Sequence, residues 1–226
     1  MATTLTVGRD FRARLGRRSR RAGLSLASGL TDQLVSYFEL LARWNHKINL
    51  TSITQPDEAI DRLLVEPLLA ARHLPAGRPL RLLDIGSGGG SPAIPLALAS
   101  PGVALTMVES KVRKSAFLRE AVRHLALESA VVETMRYEEL LTRPELHEAI
   151  DVVSLRAVRT ESRVLLGLQA FLKPGGWFFL FSSAGGPGPQ GTIPPPLALL
   201  AMHPLVETLR SRLVVIEKQP VGGRMR

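Results

Sequence analysis

Residues 82–92 read Leu-Leu-Asp-Ile-Gly-Ser-Gly-Gly-Gly-Ser-Pro, and they carry the strongest local signal in the chain. Its apolar beginning predicts a buried β-strand that carries Asp84 near its end. The glycines that follow at alternate positions are Gly86, Gly88 and Gly90. Glycine tolerates positive φ and lets a ligand lie directly against the main chain. Ser91 as N-cap and Pro92 as first helical residue predict an immediate helix. We therefore expect a ligand site at the carboxyl end of this strand.

The spacing of the glycines distinguishes between cofactors. A dinucleotide loop requires Gly-x-Gly-x-x-Gly or Ala, but the residue three positions after Gly88 is Ser91. Acid-x-Gly-x-Gly-x-Gly is instead an arrangement that holds S-adenosylmethionine. The next predicted strand ends at Glu109, where a carboxylate can bind both ribose hydroxyls. The pattern favours S-adenosylmethionine over a nicotinamide cofactor and over a purely structural turn.

From residue 80 onward, short apolar runs alternate with helical patterns, which predicts an α/β fold with a mostly parallel sheet. The predicted strands are 80–85, 104–109, 130–134, 150–155 and 177–181, and the predicted helices are 91–99, 112–127, 137–141 and 161–172, the last closed by Lys173-Pro174-Gly175-Gly176. Runs at 205–209 and 213–217 predict a hairpin on the sheet edge. Residues 182–196 are rich in glycine and proline and predict an irregular segment.

Before the sheet, the sequence predicts two helices in a small N-terminal layer. One has Thr31 as its N-cap and the other follows Pro56. We expect residues 30–79 to form this layer and residues 80–226 to form the cofactor-binding core, both in one structural domain. In the first helix, Trp44 fits the apolar stripe, and we interpret it as a core residue rather than a base-stacking platform.

The first 29 residues differ from the rest in charge. The chain carries 29 Lys and Arg against 20 Asp and Glu, and residues 1–30 alone supply six of the nine net positive charges. We expect residues 1–29 to be a disordered basic arm. Three roles stay open: an inert tail, a contact with RNA phosphates, or a targeting segment.

The composition narrows the class of protein. The chain has 226 residues, 45% of them hydrophobic, which suffices for one core. With no cysteine there is no disulfide and no thiolate chemistry, which suits a cytoplasmic protein. No apolar run approaches the roughly 20 residues of a bilayer crossing, so we expect no membrane association. No cluster of histidines and acids predicts a metal site.

Several motifs resemble the glucose-inhibited division protein B family (GidB or RsmG) over about residues 30–218. The most specific is Trp-Asn-His-Lys-Ile-Asn-Leu-Thr at 44–51, and the loop at 84–92 with Ile94-Pro95 also matches. Further matches are Glu109-Ser110 with Arg113-Lys114 and Phe117-Leu118, Arg136-Tyr137-Glu138-Glu139, and Arg156-Ala157.

This resemblance implies a Rossmann-like class I methyltransferase that acts on N7 of a guanine in 16S ribosomal RNA of the small subunit, as a cytoplasmic monomer. It implies main-chain contacts of Tyr137 and Glu138 with adenine, and places Arg156 beside the cofactor. The predicted cofactor-binding residues are therefore Asp84, Gly86, Gly88, Gly90, Ser91, Glu109, Tyr137, Glu138 and Arg156.

The chain departs from the family pattern at three places. Leu63-Leu64-Val65-Glu66-Pro67 replaces His-x-x-Asp-Ser, Ser182-Ser183-Ala184-Gly185 replaces a Lys-Gly after the fifth strand, and a proline-rich segment follows. These changes leave two alternatives open: a non-catalytic or divergent RNA-binding or ribosome-assembly relative, and a small-molecule methyltransferase.

No catalytic acid or base is predicted. Guanine N7 offers a lone pair without a proton, so methyl transfer requires positioning rather than proton removal. Arg156 is the one candidate for a direct catalytic role. Asn45 and Asn49 are interpreted as helix-end caps or as links to the cofactor loop. The basic residues of the helix after Glu109 form either a solvated face or a phosphate-positioning patch; they are Arg113, Lys114, Arg119 and Arg123.

Overall fold

A computed structural model describes residues 10–156, 161–182 and 193–220. Within these ranges, seven strands form one sheet in the order β3-β2-β1-β4-β5-β7-β6. Strands β1 to β5 are parallel, and β7 pairs antiparallel with both β5 and β6. The predicted α/β, Rossmann-like fold class is confirmed. The strands are β1 (Leu80–Ile85), β2 (Val103–Val108), β3 (Ala130–Glu133), β4 (Ile150–Arg156), β5 (Leu172–Ser182), β6 (Leu197–Pro204) and β7 (Arg212–Lys218).

Helices cover both faces of the sheet because each central strand is apolar on both sides. Leu82 and Val152 pack into one hydrophobic cluster with the first six helices, whereas Leu83 and Val153 pack into a second cluster with the last two. The helices are α1 (Phe11–Arg21), α2 (Ser28–Ile48), α3 (Pro56–Ile60), α4 (Glu66–Ala71), α5 (Ala93–Ala99), α6 (Val112–His124), α7 (Tyr137–Leu140) and α8 (Ser162–Leu168).

The expected disorder of residues 1–29 is wrong for the part that the structure describes. Residues 11–21 form α1, whose apolar side chains Phe11 and Leu15 are buried. The Phe11 ring stacks on that of Phe38 in α2, with ring centroids 4.3 Å apart. Three arginines of α1, namely Arg12, Arg14 and Arg18, pair with acids, and Arg18 Nε donates to Asp61 Oδ1 over 2.6 Å. The basic stretch is therefore an amphipathic helix; residues 1–9 lie outside the described residues.

Helix α2 begins earlier than predicted. It starts at Ser28, and Thr31 lies inside its first turn, where its Oγ1 donates to the carbonyl of Ala27 over 2.9 Å. At the other end, Asn45 Oδ1 accepts hydrogen bonds from the main-chain N–H groups of Leu50 (2.7 Å) and Thr51 (2.8 Å). Asn49 ends the helix in the left-handed conformation. Of the two interpretations offered for Asn45 and Asn49, the helix-end cap is the one that these contacts bear out.

Two expectations about the last third of the chain are wrong. Residues 173–176 do not close a helix but belong to β5, where an added Cβ at Gly176 would lie 2.9 Å from the carbonyl oxygen of Lys173. The strand before β7 is 197–204 rather than 205–209, which instead lie in the connection to β7. The prediction for 182–196 falls mostly outside the described residues, as does Ser183.

Among the residues that the structure describes, no helix is long and apolar enough to cross a membrane. The helices of residues 10–79 share one hydrophobic cluster with the sheet, which brings α2 and α4 against its carboxyl-terminal side. In the same cluster, Trp44 packs edge-on against Phe117 of α6, with ring centroids 5.9 Å apart. The interpretation of Trp44 as a core residue is therefore confirmed, and the division of the chain at residue 80 stays a prediction.

Candidate functional site

The glycine loop follows β1 as the sequence predicts. Gly86, Gly88 and Gly90 all have positive φ, of 72°, 50° and 82°. An added Cβ at Gly90 would lie 2.6 Å from Ile94 Cδ1, so this glycine is required for packing of the loop against α5. At Gly88 an added Cβ would lie 3.7 Å from the carbonyl oxygen of Gly86, an ordinary contact, so no side chain crowds the main chain there. The loop thus presents bare peptide groups at the carboxyl end of β1.

Ser91 does not cap a helix, contrary to the sequence-based expectation. Helix α5 begins at Ala93 and has Pro92 as its N-cap residue. The Ser91 hydroxyl instead donates to the carbonyl oxygen of Leu63 over 2.9 Å. Since Leu63 belongs to the π-helical turn between α3 and α4, Ser91 connects the glycine loop to the N-terminal helical layer.

Asp84 is buried beneath the loop. Its Oδ1 accepts a hydrogen bond of 2.5 Å from the Ser154 hydroxyl of β4, and its Oδ2 has no partner among the described residues. Burial raises the pKa of this carboxyl, against the lowering effect of hydrogen bonds from Ser154 and Ser87. A buried acceptor without a donor carries a desolvation cost, which a ligand that brings a donor or a positive charge would reduce.

Glu109 joins two loops at the end of β2. Its Oε2 accepts the main-chain N–H of Gly88 over 3.0 Å, and its Oε1 accepts that of Lys111 over 2.8 Å. Each carboxylate oxygen accepts through a second lone pair as well, so a diol can still bind. The contacts fix the orientation of the carboxylate, which the sequence had placed correctly at the strand end.

Arg156 is held at the end of β4 by three contacts. Its Nη2 lies 3.0 Å from Glu66 Oε2, its Nη1 donates to the carbonyl oxygen of Arg62, and its guanidinium carbon lies 4.6 Å from the ring centroid of Phe181. Burial lowers the pKa of Arg156, while Glu66 and Asp84 act in the opposite direction. Burial raises the pKa of Glu66, and Arg156 lowers it. The two charges therefore stabilise each other in a poorly solvated position.

Sequence reasoning missed two residues of this site. Glu66 was noted only as a departure from the family's Asp, yet it is the acid that pairs with Arg156. Tyr37 lies among apolar residues of α2, such as Leu34, Phe38 and Leu41, but its hydroxyl donates to the carbonyl oxygen of Gly89 over 2.5 Å. Two features of the sequence could have indicated these roles. Position 66 is acidic both in this chain and in the family pattern, and Tyr37 is a phenol among the aliphatic residues of α2.

A cavity of about 600 Å³ lies over the loop and is called the cofactor cavity below. Four predicted residues line it, namely Gly86, Gly88, Ser91 and Arg156, together with Glu66, Arg62, Lys114 and Phe181. The other predicted residues do not line it: Asp84 and Gly90 lie beneath the loop, and Glu109, Tyr137 and Glu138 lie at the ends of the neighbouring strands. The predicted set thus falls along one edge of the sheet.

Tyr137 and Glu138 form the first turn of α7, directly after β3. Glu139 Oε1 accepts the main-chain N–H of Arg136 over 3.1 Å and caps this turn. On α6, Arg119 donates to Val132 O (3.2 Å) and to Thr134 Oγ1 (2.6 Å). Arg119 is therefore engaged in holding α6 against β3, whereas Lys114 faces the cofactor cavity.

Comparison with known proteins agrees with this geometry. The family described as rRNA small subunit methyltransferase G matches residues 30–184. The Ribosomal RNA small subunit methyltransferase G of Xylella fastidiosa is 35% identical over 191 residues, which cover 82% of this chain and 86% of that protein. Its namesake from Stenotrophomonas maltophilia (strain K279a) is 39% identical over 157 residues, or 69% of this chain and 70% of that protein.

Solved structures with the same fold are more distant in sequence. A SAM-dependent methyltransferase from Aquifex aeolicus has a TM-score of 0.51 at 14% identity and covers 71% of this chain and 93% of its own. TrmN from Thermus thermophilus has a TM-score of 0.52 at 22% identity, covering 67% of this chain and 48% of its own. These two similarities concern the fold alone. The family match and the relatives' identities go further: the chain belongs to the GidB family, that of the rRNA small subunit methyltransferase G proteins.

Proposed function

We propose that this protein transfers the methyl group of S-adenosylmethionine to N7 of a guanine in 16S ribosomal RNA of the small ribosomal subunit. The single observation that carries the proposal is the bare main chain of 86–90 under the cofactor cavity, in a chain of this family. A cavity of about 600 Å³ is within the usual size range of small-molecule sites.

The residues present fit the cofactor. The open main chain at Gly88 and the fixed carboxylate of Glu109 suit the amino-acid and ribose parts, and the first turn of α7 lies where adenine would extend. When bound, S-adenosylmethionine supplies an activated methyl group on a positively charged sulfur. Asp84, whose second carboxyl oxygen lacks a donor, offers an acceptor below this position.

The chemistry needs orientation and a suitable electrostatic environment. In the transfer the S–CH₃ bond breaks as the N7–CH₃ bond forms, so a positive charge passes to the guanine ring and no proton has to leave. Arg156 alone would oppose positive charge in the cavity. Its pairing with Glu66, at 3.0 Å, neutralises it. The guanidinium can then act as a donor that orients substrate or cofactor without repelling them.

The target base must leave any helical stack to enter the cavity, because N7 in an A-form duplex lies in a deep and narrow groove. Phe181, beside Arg156 on the cavity wall, offers an aromatic face to a base. We further propose that the protein acts as a monomer in the cytoplasm. Sedimentation analysis of the purified protein, alone and with S-adenosylmethionine, tests the monomer.

The decisive experiment uses labelled S-adenosylmethionine with small subunits from a strain that lacks the modification, followed by mapping of the labelled base. We expect one labelled guanine, modified at N7. Label on free metabolites but not on ribosomal particles would favour a small-molecule methyltransferase. Failure to bind S-adenosylmethionine in calorimetry would favour a non-catalytic RNA-binding or ribosome-assembly protein.

A further inference from the structure

A second cavity, of about 810 Å³, lies between α1 and the connection from β6 to β7. It is called the arginine groove below, because four arginines line it. The charged residues of its wall are Arg18, Arg21, Arg210, Arg212, Asp61 and Glu207. Neither the cofactor nor the methyl transfer described above uses any of these residues.

The four arginines of the groove fall into two kinds. Arg18 is held in place: its side chain is 17% exposed, and it donates to Asp61 and to Asp57, the latter over 3.0 Å. Arg21, Arg210 and Arg212 are exposed and form no ion pair with any acid in the described part of the chain. With Asp61 neutralised by Arg18, the groove keeps three arginines against Glu207. Its wall is therefore positively charged and available to an anion.

The arginine groove lies on the same edge of the sheet as the cofactor cavity. Ser182, at the end of β5, lines the cofactor cavity and pairs with Arg212 at the start of β7. Paired strands are about 4.8 Å apart, so the two cavities are adjacent along this edge. The segment joining α3 to α4 separates them, with Asp61 and Val65 on the groove side and Arg62 and Glu66 on the cofactor side.

We propose that the arginine groove binds the sugar–phosphate backbone of the ribosomal RNA strand beside the target nucleotide. This inference rests on the proposed function. A nucleotide extruded into the cofactor cavity leaves its neighbours outside, and phosphate contacts fix their position. Guanidinium groups suit this role because their planar donors match phosphate oxygens. Helix α1 supplies Arg21 to the groove, and the Arg18–Asp61 pair fixes the helix there.

The test removes two positive charges from the groove and compares the effect with that of removing two positive charges elsewhere on the surface. The variant is R210Q/R212Q in the full chain. The matched control is R43Q/R81Q, since Arg43 and Arg81 are also exposed and line neither the arginine groove nor the cofactor cavity. Four quantities are measured for each protein: S-adenosylmethionine affinity, affinity for protein-free 16S RNA against salt concentration, affinity for small subunits, and the methylation parameters KM and kcat.

We expect R210Q/R212Q to bind S-adenosylmethionine like the wild type and RNA on the order of tenfold more weakly, with a smaller salt dependence. Each lost phosphate contact lowers the slope of log affinity against log salt by about 0.7 to 0.9. KM for small subunits should rise and kcat at saturation should stay the same, because the groove does not touch the reacting base. The control variant should match the wild type in all four measurements.

Four results would overturn the inference. An unchanged RNA affinity and salt slope in R210Q/R212Q, or an equal loss in the control variant, would show that the groove does not hold RNA. A loss of affinity for small subunits but not for protein-free RNA would assign the groove to a ribosomal protein instead. If the wild type binds S-adenosylmethionine but neither RNA nor small subunits, the proposed function itself fails and the inference fails with it.

Discussion

The glycine loop and the arginine groove lie on one edge of the sheet but are built in different ways. The loop is a continuous stretch, from Asp84 to Ser91, and its glycines carry their own conformational signal. The groove is assembled from α1, the helical segment at 61–65 and the connection at 204–212. No local sequence pattern predicts the groove. The difference suggests that substitutions in the loop lower the affinity for the cofactor alone. Substitutions in the N-terminal layer should instead lower the stability of the fold and the affinity for RNA.

The largest effect is expected for Gly88→Val. The new side chain would stand above the loop, where the cofactor is proposed to lie, because its Cβ would meet only the carbonyl oxygen of Gly86, at 3.7 Å, beyond its chain neighbours. We expect S-adenosylmethionine affinity to fall about a thousandfold, which is about 4 kcal/mol. Gly77→Val is the matched control: Gly77 also has positive φ and open space around it, and it lies before β1, at the opposite end of that strand from the glycine loop. Calorimetry that finds equal affinity in Gly88→Val and the wild type would refute the loop as the cofactor site.

The next effect is expected for Glu66→Gln, which leaves Arg156 buried without its acid. Removing one partner of a buried pair costs about 3 kcal/mol of unfolding free energy, and kcat/KM should fall as well. Glu66→Asp keeps the charge and should lose much less in both measurements. Denaturant unfolding together with methylation kinetics checks the prediction. If Glu66→Asp is as damaging as Glu66→Gln, the charge of Glu66 is not what matters.

A smaller effect is expected for Leu15→Ala, which tests whether α1 docks. Leu15 is fully buried in the helical cluster, so the truncation should cost about 2 kcal/mol. S-adenosylmethionine affinity should be unchanged, because α1 does not touch the glycine loop. Ala13→Ser, at an exposed position of the same helix, serves as control. No change in thermal stability for Leu15→Ala would mean that the basic stretch is an undocked arm after all.

The smallest effect concerns the pH dependence of stability through Asp84. Its pKa is raised by burial, so the folded state holds this proton more tightly than the unfolded chain. The stability of the wild type relative to Asp84→Asn should therefore be greatest at pH values below the ordinary value of 3.8, and should fall as the pH rises through the raised pKa. Urea unfolding of both proteins across this range measures the difference. A difference that grows with pH would contradict the assignment.

The parts that sequence predicted are those encoded by neighbouring residues. The loop, the strand that ends at Glu109 and the cap at Asn45 each follow from a short pattern, and the structure places them as expected. Helix α1 was missed because its seven-arginine neighbourhood has the composition of a disordered tail. Its partners, Asp57 and Asp61, lie about 40 positions away and form a ladder with Arg14 and Arg18 at matching four-residue intervals.

The wrong prediction of 205–209 as the strand that pairs with β7 has a similar cause. Residues 205–209 and 197–204 are both apolar, and only pairing with β7 decides which run is the strand. Glu66 was underestimated for the opposite reason. The residues around Glu66 differ from the family pattern, in which a histidine stands at position 63. The loss of that histidine hides the fact that position 66 is still acidic. The pairing with Arg156 spans 90 positions and exists only in three dimensions.

Tyr37 gives the helical layer a role in the shape of the loop. Its phenol is completely buried, and burial raises its pKa, which favours the protonated form that donates to the Gly89 carbonyl. A phenylalanine at this position would leave the Gly89 carbonyl without that donor. A chimera that takes α2 from a relative without a phenol at this position should therefore take the glycine loop from the same relative, because the loop of this chain would otherwise lose the hydroxyl that supports its peptide group.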